Sequence, residues 1–324
     1  MISVEGVSKH YGSVLAVEDL SFTVERGEVV GFLGPNGAGK TTTMKMITGT
    51  LQPDEGAVRL DGVTVAEDPI SAKRRIGYLP EANPLYDELL VSEYLDYVAD
   101  LRGLSSAAAR SGVADAVDET ALGEVFYRPI GDCSKGFRQR IGLASAILHR
   151  PDVLILDEPT EGLDPNQRVE IRRLVGSLGR ERTVLLSTHV MQEVEATCSR
   201  LVILTQGRLA VQGSVQELLA SRSGGVRYVV EAEGEGVAGA LADLNGVTSS
   251  SSEQINSRVR VHLEASSDGE LRPVIFDLAR ERGWRLWELH LEHASLEQVF
   301  RTLTTESSEG SQGDSRSNEE EAES

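Results

Sequence analysis

Eight residues constrain this chain more than any others: Gly34-Pro35-Asn36-Gly37-Ala38-Gly39-Lys40-Thr41. They fit the pattern G-x-x-x-x-G-K-[ST]. The preceding Glu28-Val29-Val30-Gly31-Phe32-Leu33 reads as a buried strand, and Thr41-Thr42-Thr43-Met44-Lys45-Met46-Ile47 reads as the first turns of a helix. A strand that turns through glycines into a helix aims successive backbone N–H groups, and the positive end of the helix dipole, at one point, where phosphate oxygens bind. Asn36, Gly37, Ala38, Gly39 and Thr42 are therefore expected around a nucleotide's phosphates. Lys40 is expected to reach the β- and γ-phosphates, and Thr41 to set its hydroxyl on Mg2+.

Around this loop, residues 1 to about 220 alternate strand-like and helix-like segments. Strands are expected within 14–24 and at 56–60, 75–79, 152–156, 183–187 and 200–204. Over about 85–150 the period turns helical, with Val91, Tyr94, Leu95, Val98 and Leu101 on one face. That order predicts an α/β fold, a P-loop nucleotide hydrolase core over 1–220 with a helical insert. Ser221-Arg222-Ser223-Gly224-Gly225 reads as a linker into a small α+β domain over 221–305. There, strands are expected at 226–232, 259–263 and 284–291 and helices at 237–244, 270–282 and 295–303, an order compatible with a ferredoxin-like domain. Residues 306–324 contain no Leu, Ile, Val or Phe. Such a segment cannot bury enough apolar surface to fold, and is expected to be a disordered acidic tail.

The 324 residues hold 51 acidic and 32 basic side chains, a net charge of -19, and only five of the basic residues are lysine. A charge this negative argues against nucleic acid as the main partner, because binding phosphate backbones takes clustered Lys and Arg. Such a chain repels itself at low ionic strength and is screened within a few Å in molar salt, so a halophilic cytoplasm is the expected setting. Cys133 and Cys198 lack the spacing of a metal or redox pair, and no signal peptide is evident, which suggests a reducing cytosol. No apolar run approaches the ~20 residues that span a bilayer. If the chain serves a membrane process, another polypeptide is expected to form the pore.

Two further motifs narrow the chemistry. Val153-Leu154-Ile155-Leu156-Asp157-Glu158 is an apolar strand ending in two carboxyl groups. Asp157 suits Mg2+ coordination, and Glu158 can polarise an attacking water beside the γ-phosphate. Upstream, Cys133-Ser134-Lys135-Gly136-Phe137-Arg138-Gln139-Arg140 opens an amphipathic helix with Ser134 at its cap. A helix N-terminus of this kind is an anion site.

With that segment in place, residues 1 to about 220 resemble the ATP-binding cassette family. Glu161-Gly162-Leu163-Asp164 matches the family's D-loop, and Leu186-Ser187-Thr188-His189 matches the strand end that carries its switch histidine. The resemblance implies that Tyr11 stacks on adenine ahead of Ala16, that His189 contacts the γ-phosphate, and that Ser134, Lys135, Gly136 and Asp164 belong to the half-site presented to a second copy. Two positions depart from the usual pattern. The signature reads Cys133-Ser134-Lys135-Gly136-Phe137 where the family usually has Leu-Ser-Gly-Gly-Gln, and Glu81 stands where a glutamine is usual. Phe137 is expected to pack within its helix, and Glu81 to ligate Mg2+. Both departures, with Ser295-Leu296-Glu297-Gln298-Val299-Phe300 near the end, are similar to cassettes that drive type-2 exporters. The resemblance implies an ATP-hydrolysing subunit using ATP and Mg2+, a head-to-tail dimer, a separate membrane-spanning permease, and a place on the cytoplasmic face of the cell membrane. Two alternatives stay open, a soluble cassette ATPase that remodels a nucleoprotein complex and an importer cassette with a β-rich, barrel-like regulatory domain.

Overall fold

The computed structural model describes residues 1–222, 226–266 and 270–292, together with Leu296. The chain divides into two compact units, one built on Met1–Val215 and the other within Gln216–Thr302.

The first unit opens with a hairpin of β1 (Ile2–Tyr11) and β2 (Val14–Val24). Next, β3 (Val29–Leu33) runs through the glycine loop into α1 (Lys40–Ile47). β4 (Glu55–Leu60), β5 (Val63–Thr64), α2 (Pro69–Arg75) and β6 (Ile76–Leu79) lead to the insert, formed by α3 (Val91–Leu101), α4 (Ser106–Glu119) and α5 (Lys135–Ile147). The chain returns through β7 (Val153–Asp157), α6 (Pro165–Leu178), β8 (Thr183–Thr188), α7 (Met191–Thr197), β9 (Arg200–Thr205) and β10 (Arg208–Ser214), and α8 (Val215–Arg222) then leads into the second unit. Polar caps mark several helix starts. Asp68 accepts from the Ser71 N–H, Ser134 from that of Phe137, and Asp164 from those of Asn166 and Gln167.

Two sheets result. One is antiparallel with strand order β2-β1-β4-β5, and the other has the order β10-β9-β3-β8-β7-β6. The five strands from β9 to β6 are mutually parallel, and β10 alone joins antiparallel. Every residue of β7 and β8 is buried, as expected where helices cover both faces of a parallel sheet. Val4, Phe22, Phe32, Met44, Ile155 and Val202 belong to one core that joins both sheets to α1.

Strands β1 and β10 went unseen in the sequence pattern. The register of β1 slips between Val4 and Val7, at a bulge where Gly6 takes φ +56°, so its apolar residues lose strict alternation. The insert face is also corrected in one place: Leu101 is 68% exposed, and Ala99, fully buried, takes the inward position in α3. A period of 3.6 carries the stripe past Leu101 at the helix end.

In the second unit, β11 (Val226–Glu233), α9 (Val237–Ala242), β12 (Val247–Ile255), β13 (Arg258–Ala265), α10 (Arg272–Arg282) and β14 (Arg285–Glu292) form an antiparallel sheet of order β12-β13-β11-β14. The βαββαβ order with this arrangement is ferredoxin-like. Tyr228, Val230 and Ala232 alternate inward on β11 against Leu241 of α9 and Ile275 of α10. β12 was missed because Ser249-Ser250-Ser251-Ser252 has no apolar alternation; it is an exposed edge paired to β13. The expected linker is also corrected, since α8 continues through Ser221 and Arg222, and 223–225 lie outside the described residues. The helix expected at 295–303 and the tail at 306–324 also fall outside them, Leu296 excepted.

Candidate active site

Strand order fixes the site. Leu33 pairs with Thr188 and Asp157 with Ser187, so β3, β8 and β7 deliver the glycine loop, His189 and Glu158 to one edge of the parallel sheet. A cavity of about 530 Å3 lies there. Asn36, Gly37, Gly39, Lys40, Thr41 and Thr42 form its glycine-loop wall. Tyr11 and Ala16 line it from the antiparallel sheet, and Glu81, Glu158, Glu161 and His189 complete it. Tyr11 is 49% exposed.

Two glycines are required by close approach. A Cβ on Gly39, at φ +97°, would lie 2.6 Å from the Ala16 carbonyl, and one on Gly34 would lie 2.7 Å from that of Leu204. Ala38 is buried and does not line the cavity, and its N–H is bonded to the Pro35 carbonyl. Lys40 Nζ donates to the carbonyls of Gly34, at 2.8 Å, and Pro35, at 3.3 Å.

Asp157 is fully buried; its Oδ1 accepts from Ser187 Oγ at 2.5 Å, and its Oδ2 has no partner among the described residues. Ser187 Oγ also accepts the Glu158 N–H at 3.0 Å, so one hydroxyl ties both acidic positions to β8. Glu158 sits at φ +49°, a strained conformation for a non-glycine residue. Its Oε2 shares a 2.9 Å hydrogen bond with His189 Nδ1, and His189 Nε2 lies 3.8 Å from Glu161 Oε2. Burial pushes the Glu158 carboxyl above its ordinary range, opposed by His189 and Lys40. Below the site, the Tyr78 hydroxyl is buried and unpartnered among the described residues, and burial, with Asp157 and Glu81, pushes it up to about 12.

The remaining predicted residues lie elsewhere. Ser134 and Gly136 line a separate cleft of about 90 Å3 with Phe137, Arg140 and Gln167. A Cβ on Gly136 would lie 2.9 Å from the Gln167 side chain, which would have to shift to admit it. Phe137 is partly buried and lines that cleft. Asp164 caps α6, and the exposed Lys135 reaches over Gly162 of the same loop. Sequence reading missed Ser187 and Asn83 as site residues. Asn83 donates to the Arg138 carbonyl at 2.8 Å and so ties the Glu81 loop to α5. Neither stands in a spacing that marks it.

Residues 17–161 match the model of the ABC transporter family. The chain is 41% identical over 224 residues to a Nod factor export ATP-binding protein I of Burkholderia orbicola, covering 69% of this chain and 74% of that protein. It is 31% identical over 308 residues to the linearmycin resistance ATP-binding protein LnrL of Bacillus subtilis, covering 94% and 98%. A solved ATP-binding subunit of an ABC transporter superposes with a TM-score of 0.62 at 33% identity, over 68% of this chain and 92% of that one. With the glycine loop, Glu158 and His189 gathered on one cavity, and relatives this similar over this length, the chain belongs to the ABC transporter family as an ATP-binding subunit of the ATP-hydrolysing kind.

Proposed function

We propose that this chain powers a membrane exporter by closing with a second copy around two ATP molecules and hydrolysing them. The observation that carries this reading is the division of the site. Lys40, Glu158 and His189 line one cavity, whereas Ser134 and Gly136 line a different cleft on the same protomer. Each is half of a phosphate site. A head-to-tail pair would set Ser134, Lys135, Gly136 and Asp164 of one copy against the ATP held by the other. ATP then stabilises the closed state over the open one, and hydrolysis removes that difference.

In each site Tyr11 would stack on adenine beside Ala16, and the N–H groups of the glycine loop, with Lys40, would hold the phosphates. Glu158 would take a proton from the attacking water as its oxygen bonds to the γ-phosphorus, while the bond to the bridging oxygen breaks and ADP leaves with the electron pair. His189 would hold the Glu158 carboxyl and contact the γ-phosphate. Thr41, Glu81 and Asp157 offer oxygen donors only, and the unpartnered Oδ2 of buried Asp157 suits a hard cation. Bound there, Mg2+ would offset phosphate charge.

Export over import is supported by the export named for the Nod factor relative. The second unit supports it too, being a four-stranded sheet with two helices where an importer was expected to carry a barrel. No described helix is long and apolar enough to cross a membrane, so a separate permease would form the path, with this chain on its cytoplasmic face. Remodelling of nucleoprotein is disfavoured by the net charge of -19. Affinity purification of the tagged chain from detergent-solubilised membranes tests the reading. An exporter subunit brings down a polytopic membrane protein that stimulates its ATP hydrolysis. Recovery with ribosomes, or with no membrane protein, overturns it.

A further inference from the structure

Glu193, in the first turn of α7, is 2% exposed, and its Oε1 has no partner among the described residues. Burying a carboxyl with one oxygen unpaired costs stability that a leucine at the same place would not. The other oxygen does something specific. Glu193 Oε2 accepts hydrogen bonds from Thr160 Oγ1 at 2.6 Å and from Thr188 Oγ1 at 3.1 Å. Both threonines are buried, Thr160 two residues after Glu158 and Thr188 one before His189. The Thr188 hydroxyl in turn accepts the Val190 N–H at 3.0 Å. One carboxyl oxygen thus joins the exit of β7, the end of β8 and the start of α7.

That junction stands just past the last paired residues of β7 and β8, where Ser187 alone of β8 still bonds the Glu158 N–H. The β7–β8 ladder ends at the Asp157–Ser187 pair, one residue before Glu158 and two before His189. Beyond it Glu158 adopts its left-handed φ of +49°, a conformation that persists only where the surroundings hold it. The 2.9 Å bond from His189 Nδ1 to Glu158 depends on the separation of these two loops. A shift of 1 Å between them would break it.

We propose that Glu193 is a positioning residue for hydrolysis, bridging Thr160 and Thr188 so that Glu158 and His189 stay in register. The proposal rests on the reading that Glu158 and His189 act on water and γ-phosphate. Five variants of the full chain test it: Glu193→Leu, which keeps volume without the acceptor; Glu193→Gln, which keeps an acceptor oxygen; and Thr160→Val, Thr188→Val and the two combined, which remove the donors. For each, kcat, KM, ATP Kd and the melting temperature are measured. Because misplacement of about 1 Å can cost up to ~100-fold in rate, Glu193→Leu and the combined valine variant are expected to lose at least about tenfold in kcat, with ATP Kd within about twofold. Glu193→Gln is expected to stay within about threefold of wild-type kcat, the rescue expected of an acceptor. Should Glu193→Leu fail to fold, the valine variants decide. A folded valine pair with wild-type kcat overturns the proposal, as does a Glu193→Gln variant as impaired as Glu193→Leu, or a loss of kcat that only follows a loss of ATP binding and melting temperature. Glu158→Gln in the same assay keeps the two readings apart. Wild-type turnover in that variant would defeat the assignment of Glu158, whereas an inactive Glu158→Gln beside fully active valine variants would defeat the bridge alone.

Discussion

Lys40 Nζ lies 3.6 Å from Oε1 of Glu158, and both side chains are more than nine-tenths buried. The cation meant for phosphate and the carboxyl meant for water therefore face each other across the site. Lys40 also donates to two carbonyls of its own loop, so a phosphate must compete with three oxygens for it. Burial raises the Glu158 carboxyl despite these neighbours, and a more basic carboxyl is a better proton acceptor.

Replacing Glu158 with Gln removes that acceptor while keeping the shape. The variant is expected to bind ATP, to lose at least about 100-fold in hydrolysis, and to accumulate as an ATP-bound dimer. Size-exclusion chromatography with MgATP checks it. A monomeric variant, or one turning over like wild type, would refute the assignment.

Glu81 lines the cavity with Thr41, and the buried Asp157 keeps one carboxyl oxygen without a partner among the described residues. A carboxyl binds Mg2+ more strongly than an amide oxygen does. Glu81→Gln is therefore expected to retain ATP binding but to need more Mg2+, about several-fold, for half-maximal hydrolysis. A Mg2+ titration that superimposes on wild type removes Glu81 from the metal site.

His149, at the end of the insert, shares a 3.2 Å hydrogen bond with the Ile76 carbonyl and has an unpartnered Nδ1 among the described residues. Burial, and then Arg102, pushes it from 6.5 down to about 4. The unfolded chain binds this proton more tightly than the folded one. The contribution is complete above pH 6.5 and is lost as pH falls toward 4, by up to about 3 kcal/mol. Melting of His149→Gln at pH 7.5 and 4.5 should show a smaller acid loss than wild type, and equal losses would contradict this.

With a net charge of -19, self-repulsion weakens the folded state until salt screens it, within ~3 Å at 1 M. Melting temperature is expected to rise across a KCl series to molar concentration. A salt-independent melting point would leave the acidity without a role in stability.

The glycine loop was legible because eight contiguous residues carry their own geometry: strand, turn and helix start are all local. The Asp157-Glu158 strand end and the Ser134 cap were legible for the same reason. Illegible elements had patterns altered by tertiary contacts. A bulge at Gly6 broke the alternation of β1, and pairing with β13 holds the serine run of β12 in a strand.

By itself the sequence determined the phosphate loop, the α/β order and the acidic pair, since each depends on residues a few positions apart. Tertiary structure alone decided which of them meet. The order β3-β8-β7-β6 sets Ser187 on Asp157, His189 on Glu158 and Glu193 beneath both loops, through hydrogen bonds that span five to 33 residues. Such bonds follow from which strand ends become neighbours, and no local period or spacing records that choice.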